Sequence, residues 1–151
     1  MSRVFQARDV PEQIGTDYPA PHDAPCRARR SRRLGDHGGL TQFGISEVTI
    51  SPGSWSSQRH HHSAEDEFVL ILSGTPTLVS DAGERELKAG DICAHPAGDG
   101  DAHHLINRSG ADVVILTVGS RRPEVDTCSY PDVDIHLPAN GTPQREYVRK
   151  G

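Results

Sequence analysis

The chain has 151 residues, 34% of them hydrophobic and only seven aromatic, enough for one mostly aliphatic core and not for two. Sixteen basic against twenty-one acidic side chains leave a formal charge of −5, which argues against a nucleic-acid partner. The longest apolar runs, Phe68–Leu72 and Val113–Leu116, fall far short of the ~20 residues of a membrane-spanning helix, and the N-terminus lacks an apolar signal segment, so neither a membrane nor a secreted location is expected.

Residues 1–38 carry Pro11, Pro19, Pro21 and Pro25 among few apolar side chains and read as an extended arm. Over the whole chain 15 Gly and 11 Pro punctuate the sequence so densely that several long helices have no room. The segments between turn signals predict strands at 40–50, 54–62, 67–73, 76–80, 84–88, 91–95, 102–107 and 112–119. Eight short strands at regular spacing indicate an all-β sandwich or barrel. Ser63-Ala-Glu-Asp66 could open a helix as a capping box, but the apolar run after it has no polar face and ends at Ser73-Gly74, so a buried strand fits better. Residues 121–151 form a tail like the arm. Tyr18, Tyr130, Ile135, Leu137 and Tyr147 are the side chains able to anchor both segments on a barrel spanning 39–120. Cys26, Cys93 and Cys128 are odd in number and form no C-x-x-C pair, which suits reduced thiols in the cytoplasm.

Nine histidines are the unusual excess, five of them in two clusters. Side chains alternate faces along a strand, so a strand through Gln58-Arg-His60-His61-His62 puts Gln58, His60 and His62 on one face and His61 on the other. Two imidazoles so spaced can reach one cation. Glu67 starts the next strand and can return there as an oxygen ligand, and His103-His104 offers a third imidazole. Three nitrogens and one carboxylate leave coordination positions open for water or substrate. A polar surface strand is the plain alternative for a His-His-His run.

Two stretches of the sequence carry a resemblance. Gly53-x6-His60-x-His62-x4-Glu67-x6-Gly74 is similar to the first motif of the cupins, G-x5-H-x-H-x3-4-E-x6-G. Gly90-x5-Pro96-x-Gly98-x4-His103-x3-Asn107 resembles the second, G-x5-P-x-G-x2-H-x3-N. The chain departs by one extra residue before His60 and two before His103; the retained spacing to Asn107 selects His103 over His104. The flanks resemble a group of single-domain bacterial cupins named, by analogy, as sugar-phosphate isomerases. The resemblance implies a double-stranded β-helix (jelly roll), a homodimer, and one divalent metal held by His60, His62, Glu67 and His103. Such mixed nitrogen and oxygen ligation suits Fe, Mn, Ni, Co or Zn. It also implies an enzyme of the isomerase or dioxygenase kind acting on a small polar or anionic metabolite, with a non-catalytic sugar-binding or sensor module as the alternative.

Gln58 and His95 are candidate substrate-binding groups, Gln58 from the inner face beside His60 and His95 from the strand before Pro96. Neighbouring Asp99 and Asp101 read as solvated loop carboxylates, and Trp55 as a packing residue. Arg27, Arg29, Arg30, Arg32 and Arg33 put five guanidiniums in seven residues, suited to an anionic substrate if the arm lies near the barrel mouth. No serine or cysteine nucleophile pattern is present, so the catalytic groups themselves stay unassigned.

Overall fold

The computed structural model describes residues 1–142 and 144–151. In chain order the strands are β1 (Glu12–Ile14), β2 (Arg30–Arg33), β3 (Phe43–Ile50), β4 (His61–His62), β5 (Glu67–Ser73), β6 (Thr77–Ser80) and β7 (Gly83–Glu86). They continue with β8 (Ile92–His95), β9 (His104–Ile106), β10 (Val113–Ser120), β11 (Cys128–Ser129), β12 (Ile135–Leu137) and β13 (Val148–Arg149). Among the described residues a single four-residue α-helix, α1, spans Leu34–His37.

One face of the barrel is a six-stranded sheet in the order β1-β2-β3-β10-β5-β8. A three-stranded sheet, β7-β6-β9, and a four-stranded one, β13-β12-β11-β4, complete the architecture. Every pairing is antiparallel. This is the expected all-β jelly roll.

The apolar run 67–73 is the strand its composition predicts, and alternation decides where each side chain goes. Val69 and Ile71 turn inward to meet Val48, Ile50, Cys93, Leu105, Val113 and Ile115 in the principal core. Phe68 and Leu72 turn outward and stay exposed. Burying an aliphatic side chain of this size contributes about 1.5–3 kcal/mol, so this cluster supplies much of the stability. Gly74 ends the strand at φ +86°, where a Cβ would lie 2.7 Å from the Asp112 carbonyl oxygen, so the close approach of the next strand admits no side chain.

The terminal segments are more regular than an extended arm and tail. β2 pairs with β3 from Arg30↔Thr49 to Arg33↔Ser46, and β1 pairs with β2. β11 pairs with β4, setting Cys128 opposite His62 and Ser129 opposite His61. Tyr18, Cys26, Cys128, Tyr130 and Ile135 form a second core, with Trp55, Val133, Leu137 and Tyr147 packed against it. The anchors expected from the sequence thus lie in one cluster fed by both ends of the chain.

The strand expected over 54–62 is a correction. Only His61–His62 is a strand, and Trp55 and His60 make isolated bridges to Ile106 and His103. The serines explain the break, since a hydroxyl competes with the sheet ladder for backbone partners. Ser56 Oγ accepts the Leu105 N–H at 2.9 Å, and Ser51 and Ser54 hydroxyls bond each other at 3.0 Å.

Candidate metal centre

Glu67, His60 and His103 converge, with one potential ligand atom from each lying within 4.8 Å of the others. Glu67 Oε2 lies 2.6 Å from His103 Nε2 and 3.6 Å from His60 Nε2. β5 delivers the glutamate inward at its first residue, and the His60↔His103 bridge aligns the two imidazoles. Burial alone raises a carboxyl pKa, but here the His60 and His103 imidazoles outweigh it and hold Glu67 well below the carboxylate range. Burial likewise opposes charge on His103, and the Glu67 carboxylate outweighs it, so His103 is raised above the ordinary imidazole value.

His62 does not join that trio. Its ring is perpendicular to His60 with centroids 5.3 Å apart, and it falls into two other groups, with His60 and Cys128 and with Glu65 and Asp126. The link to Asp126 is close: His62 Nδ1 lies 2.7 Å from Asp126 Oδ2. Asp126 is itself fixed by the Ala64 and Glu65 N–H groups at 2.9 and 3.0 Å. Burial would raise its pKa, but the His62 ring and these amides lower it. No sequence signal pointed to Asp126, which lies 64 residues from His62 in the tail.

One pattern unites the three histidines. His60 Nδ1 faces the Gln58 carbonyl at 2.8 Å, His103 Nδ1 the Asp101 carbonyl at 3.0 Å, and His62 Nδ1 the Asp126 carboxylate. Such oxygens accept and cannot donate, so each Nδ1 carries hydrogen and Nε2 is the nitrogen left to ligate. Metal-binding histidines are commonly oriented in this way. The donor set therefore fits a divalent cation. His104, by contrast, bonds the Ser57 carbonyl at 2.8 Å and packs edge-on against Trp55, outside every such cluster among the described residues.

The other candidates divide. His95 stacks on His103 with ring centroids 3.3 Å apart and 2° between planes, and it lines the cavity that holds the cluster. Burial, reinforced by the neighbouring His103, pushes its pKa down to about 4, so its ring is neutral at pH 7. Gln58 is buried but turned away, donating from Nε2 to the His22 carbonyl at 2.8 Å. With no continuous strand at 56–59, alternation does not carry it to the inner face. Its contribution to the cluster is its own carbonyl, which orients His60. Asp99 and Asp101 build the loop before His103: Asp99 accepts the Asp101 N–H at 3.0 Å and Asp101 accepts the Asp81 N–H at 2.9 Å. Asn107 is fully buried and clamps the Ile50 and Ala111 carbonyls at 2.7 and 2.8 Å, a structural role for the last residue of the second motif.

The cluster opens into a cavity of about 740 Å³, lined also by Arg29, Arg33, Arg145 and Tyr147 from the arm and tail. No helix is long and apolar enough to cross a membrane among the described residues.

Comparison with known proteins agrees with this architecture. Residues 46–119 match the family model described as a cupin domain. The crystal structure of a sugar phosphate isomerase of the cupin superfamily from Silicibacter pomeroyi is 38% identical, with a TM-score of 0.91 over 98% of this chain and 93% of that one. A provisionally named sugar phosphate isomerase from Acidithiobacillus ferrooxidans is 31% identical, with a TM-score of 0.73 over 80% and 76% of the two chains. The polyketide cyclase RemF of Streptomyces resistomycificus, at 24% identity and a TM-score of 0.64 over 80% of each chain, shares the fold. None of the curated proteins compared with this chain matches it. With its two histidine-bearing motifs, its jelly roll and a relative 38% identical over nearly its whole length, the chain belongs to the cupin superfamily.

Proposed function

We propose that this cupin is a divalent-metal-dependent enzyme of the sugar-phosphate isomerase kind, acting on a small anionic metabolite. The observation that carries the reading is the convergence of His60 and His103 on the Glu67 carboxylate, with the Nδ1 atoms of His60, His103 and neighbouring His62 each bonded to an oxygen. His60, Glu67 and His103 would hold the cation, and His62, the other ligand that the first motif implies, would be its fourth protein ligand. When bound, such a cation polarises a substrate carbonyl as a Lewis acid. The chain's own part is to move the proton and exclude water. His95 lines the cavity stacked on His103, which makes it the imidazole placed to carry a proton from one substrate carbon to its neighbour. The identities of the Silicibacter pomeroyi and Acidithiobacillus ferrooxidans relatives favour isomerisation over oxygenation.

The test is metal content and turnover together. Elemental analysis of protein reconstituted with Mn, Fe, Co, Ni or Zn is expected to give one equivalent per chain, lost in His103→Ala and kept in His104→Ala. A panel of aldose and ketose phosphates then reports interconversion. Uptake below about a tenth of an equivalent in the wild type overturns the reading, as does equal loss in His104→Ala.

The same reading makes the protein a cytoplasmic homodimer. The three cysteines are free and buried, as suits a reducing compartment. The outer face of the six-stranded sheet exposes Phe68, Leu72 and Ile92, apolar surface that a second copy would cover. Light scattering is expected to give twice the chain mass, and a monomer mass overturns the dimer.

A further inference from the structure

The arginines of the arm are sorted by face. Along β2, Arg30 and Arg32 share one side, and each has a carboxylate: Arg30 pairs with Asp112 at 3.1 Å and Arg32 with Glu12 at 3.5 Å. Arg27, before the strand, pairs with Asp23 at 2.8 Å. Ser31 and Arg33 take the opposite side, and with Arg29 they line the large cavity. The paired guanidiniums thus face outward while two without an ion pair among the described residues face the ligand space.

Arg29 is the informative one. Its Nε is sealed from solvent and has no hydrogen-bond partner among the described residues, the only such buried side-chain nitrogen or oxygen among them. An N–H sealed from water without an acceptor lacks the hydrogen bond that burial normally requires, and a ligand oxygen would supply it. Burial, with the like charge of Arg145 adding to it, pushes the Arg29 pKa down. Arg145 itself arrives from the tail, lines the same cavity, and makes no ion pair among the described residues. Glu65, also on the wall, is engaged elsewhere: its carboxylate accepts the Arg122 N–H at 2.7 Å. Two guanidiniums on the wall of one cavity, neither with an ion pair among the described residues, form an arrangement that an anion relieves.

We infer that Arg29 and Arg145 form the subsite for a phosphate monoester group of the substrate, on the cavity wall apart from the His60–Glu67–His103 cluster. The inference deepens the proposed function and rests on it for the rest of the substrate; the anion site itself stands on the arginines. Phosphate is favoured over carboxylate by counting oxygens and charge. One guanidinium fork saturates both oxygens of a carboxylate, whereas a phosphate monoester brings three oxygens and nearly two negative charges to two forks.

The experiment is calorimetric titration of full-length, metal-stripped protein with inorganic phosphate, so that no cation can be the binder. Wild type is expected to bind phosphate, Arg29→Gln and Arg145→Gln to weaken it at least tenfold, and the outward Arg30→Gln to stay within twofold. Acetate is expected to bind at least tenfold more weakly than phosphate. Unchanged phosphate affinity in both cavity variants overturns the inference, and so does acetate binding as tight as phosphate. If Arg29→Gln does not fold, Arg145→Gln carries the test alone with the same two outcomes. Metal uptake measured on the same preparations separates the two readings. Phosphate binding without metal uptake sinks the metal proposal alone; metal uptake with no arginine-dependent phosphate binding sinks this one alone.

Discussion

The two ends of the barrel interior are built from the same strands and differ in chemistry halfway along. On β5 the inward series runs Ile71, Val69, Glu67; on β10 it runs Val113, Ile115, Thr117; on β3 it runs Ile50, Val48, Ser46. The first two residues of each series are buried core, and the third lines the cavity beside the metal cluster. One end closes on aliphatic packing and the other opens on hydrogen-bonding groups. The difference teaches that the apolar end bears the stability while the polar end is left free to carry costly groups such as Arg29.

Breaking the apolar end gives the largest effect. Ile71→Ala, at a site that is 1% exposed, is expected to lower the unfolding free energy by about 2–5 kcal/mol while the folded fraction still takes up metal. Chemical denaturation with parallel elemental analysis checks this; loss of metal at unchanged stability would contradict the division. At the polar end the effect shifts to affinity. Asp126→Asn leaves His62 without its anionic partner and is expected to weaken metal binding about 10–100-fold with little change in the melting midpoint. Competition against a chelator reads it. Smallest is the dependence on pH. Because Glu67 raises the His103 pKa, a proton competes with the cation at His103 to higher pH than at a free imidazole. Metal affinity should rise as pH climbs through that raised value and then level off. Glu67, held well below the carboxylate range, adds no second step near neutrality. Metal titrations from pH 5 to 9 would show it, and a flat profile would remove the competing proton.

Much of this was legible in the sequence, for reasons that particular residues make clear. The run 67–73 is recognisable as a strand because its length, its lack of a polar face and its terminal Ser73-Gly74 leave no helix to build. His60, Glu67 and His103 are recognisable because they stand at the spacings of two motifs that resemble those of the cupins, the interval to Asn107 selecting His103 over His104. Gln58 shows the limit: alternation holds only while the backbone is extended, and serine hydroxyls at 54 and 56 divert it. Asp126 and Arg145 show another. Each reaches the cavity through pairing of a terminal segment, and such long-range placement leaves no local periodicity to read.

That pairing has a practical corollary for anyone trimming the protein. A fragment cut to residues 46–119, the extent of the family match, would keep the His60, His62, Glu67 and His103 side chains. It would shed the carboxylate behind His62, both candidate phosphate-gripping arginines and the aromatic floor of Tyr18, Tyr130 and Tyr147. The matched domain keeps the histidines, while the groups that orient and charge the cavity around them come from the two ends of this chain.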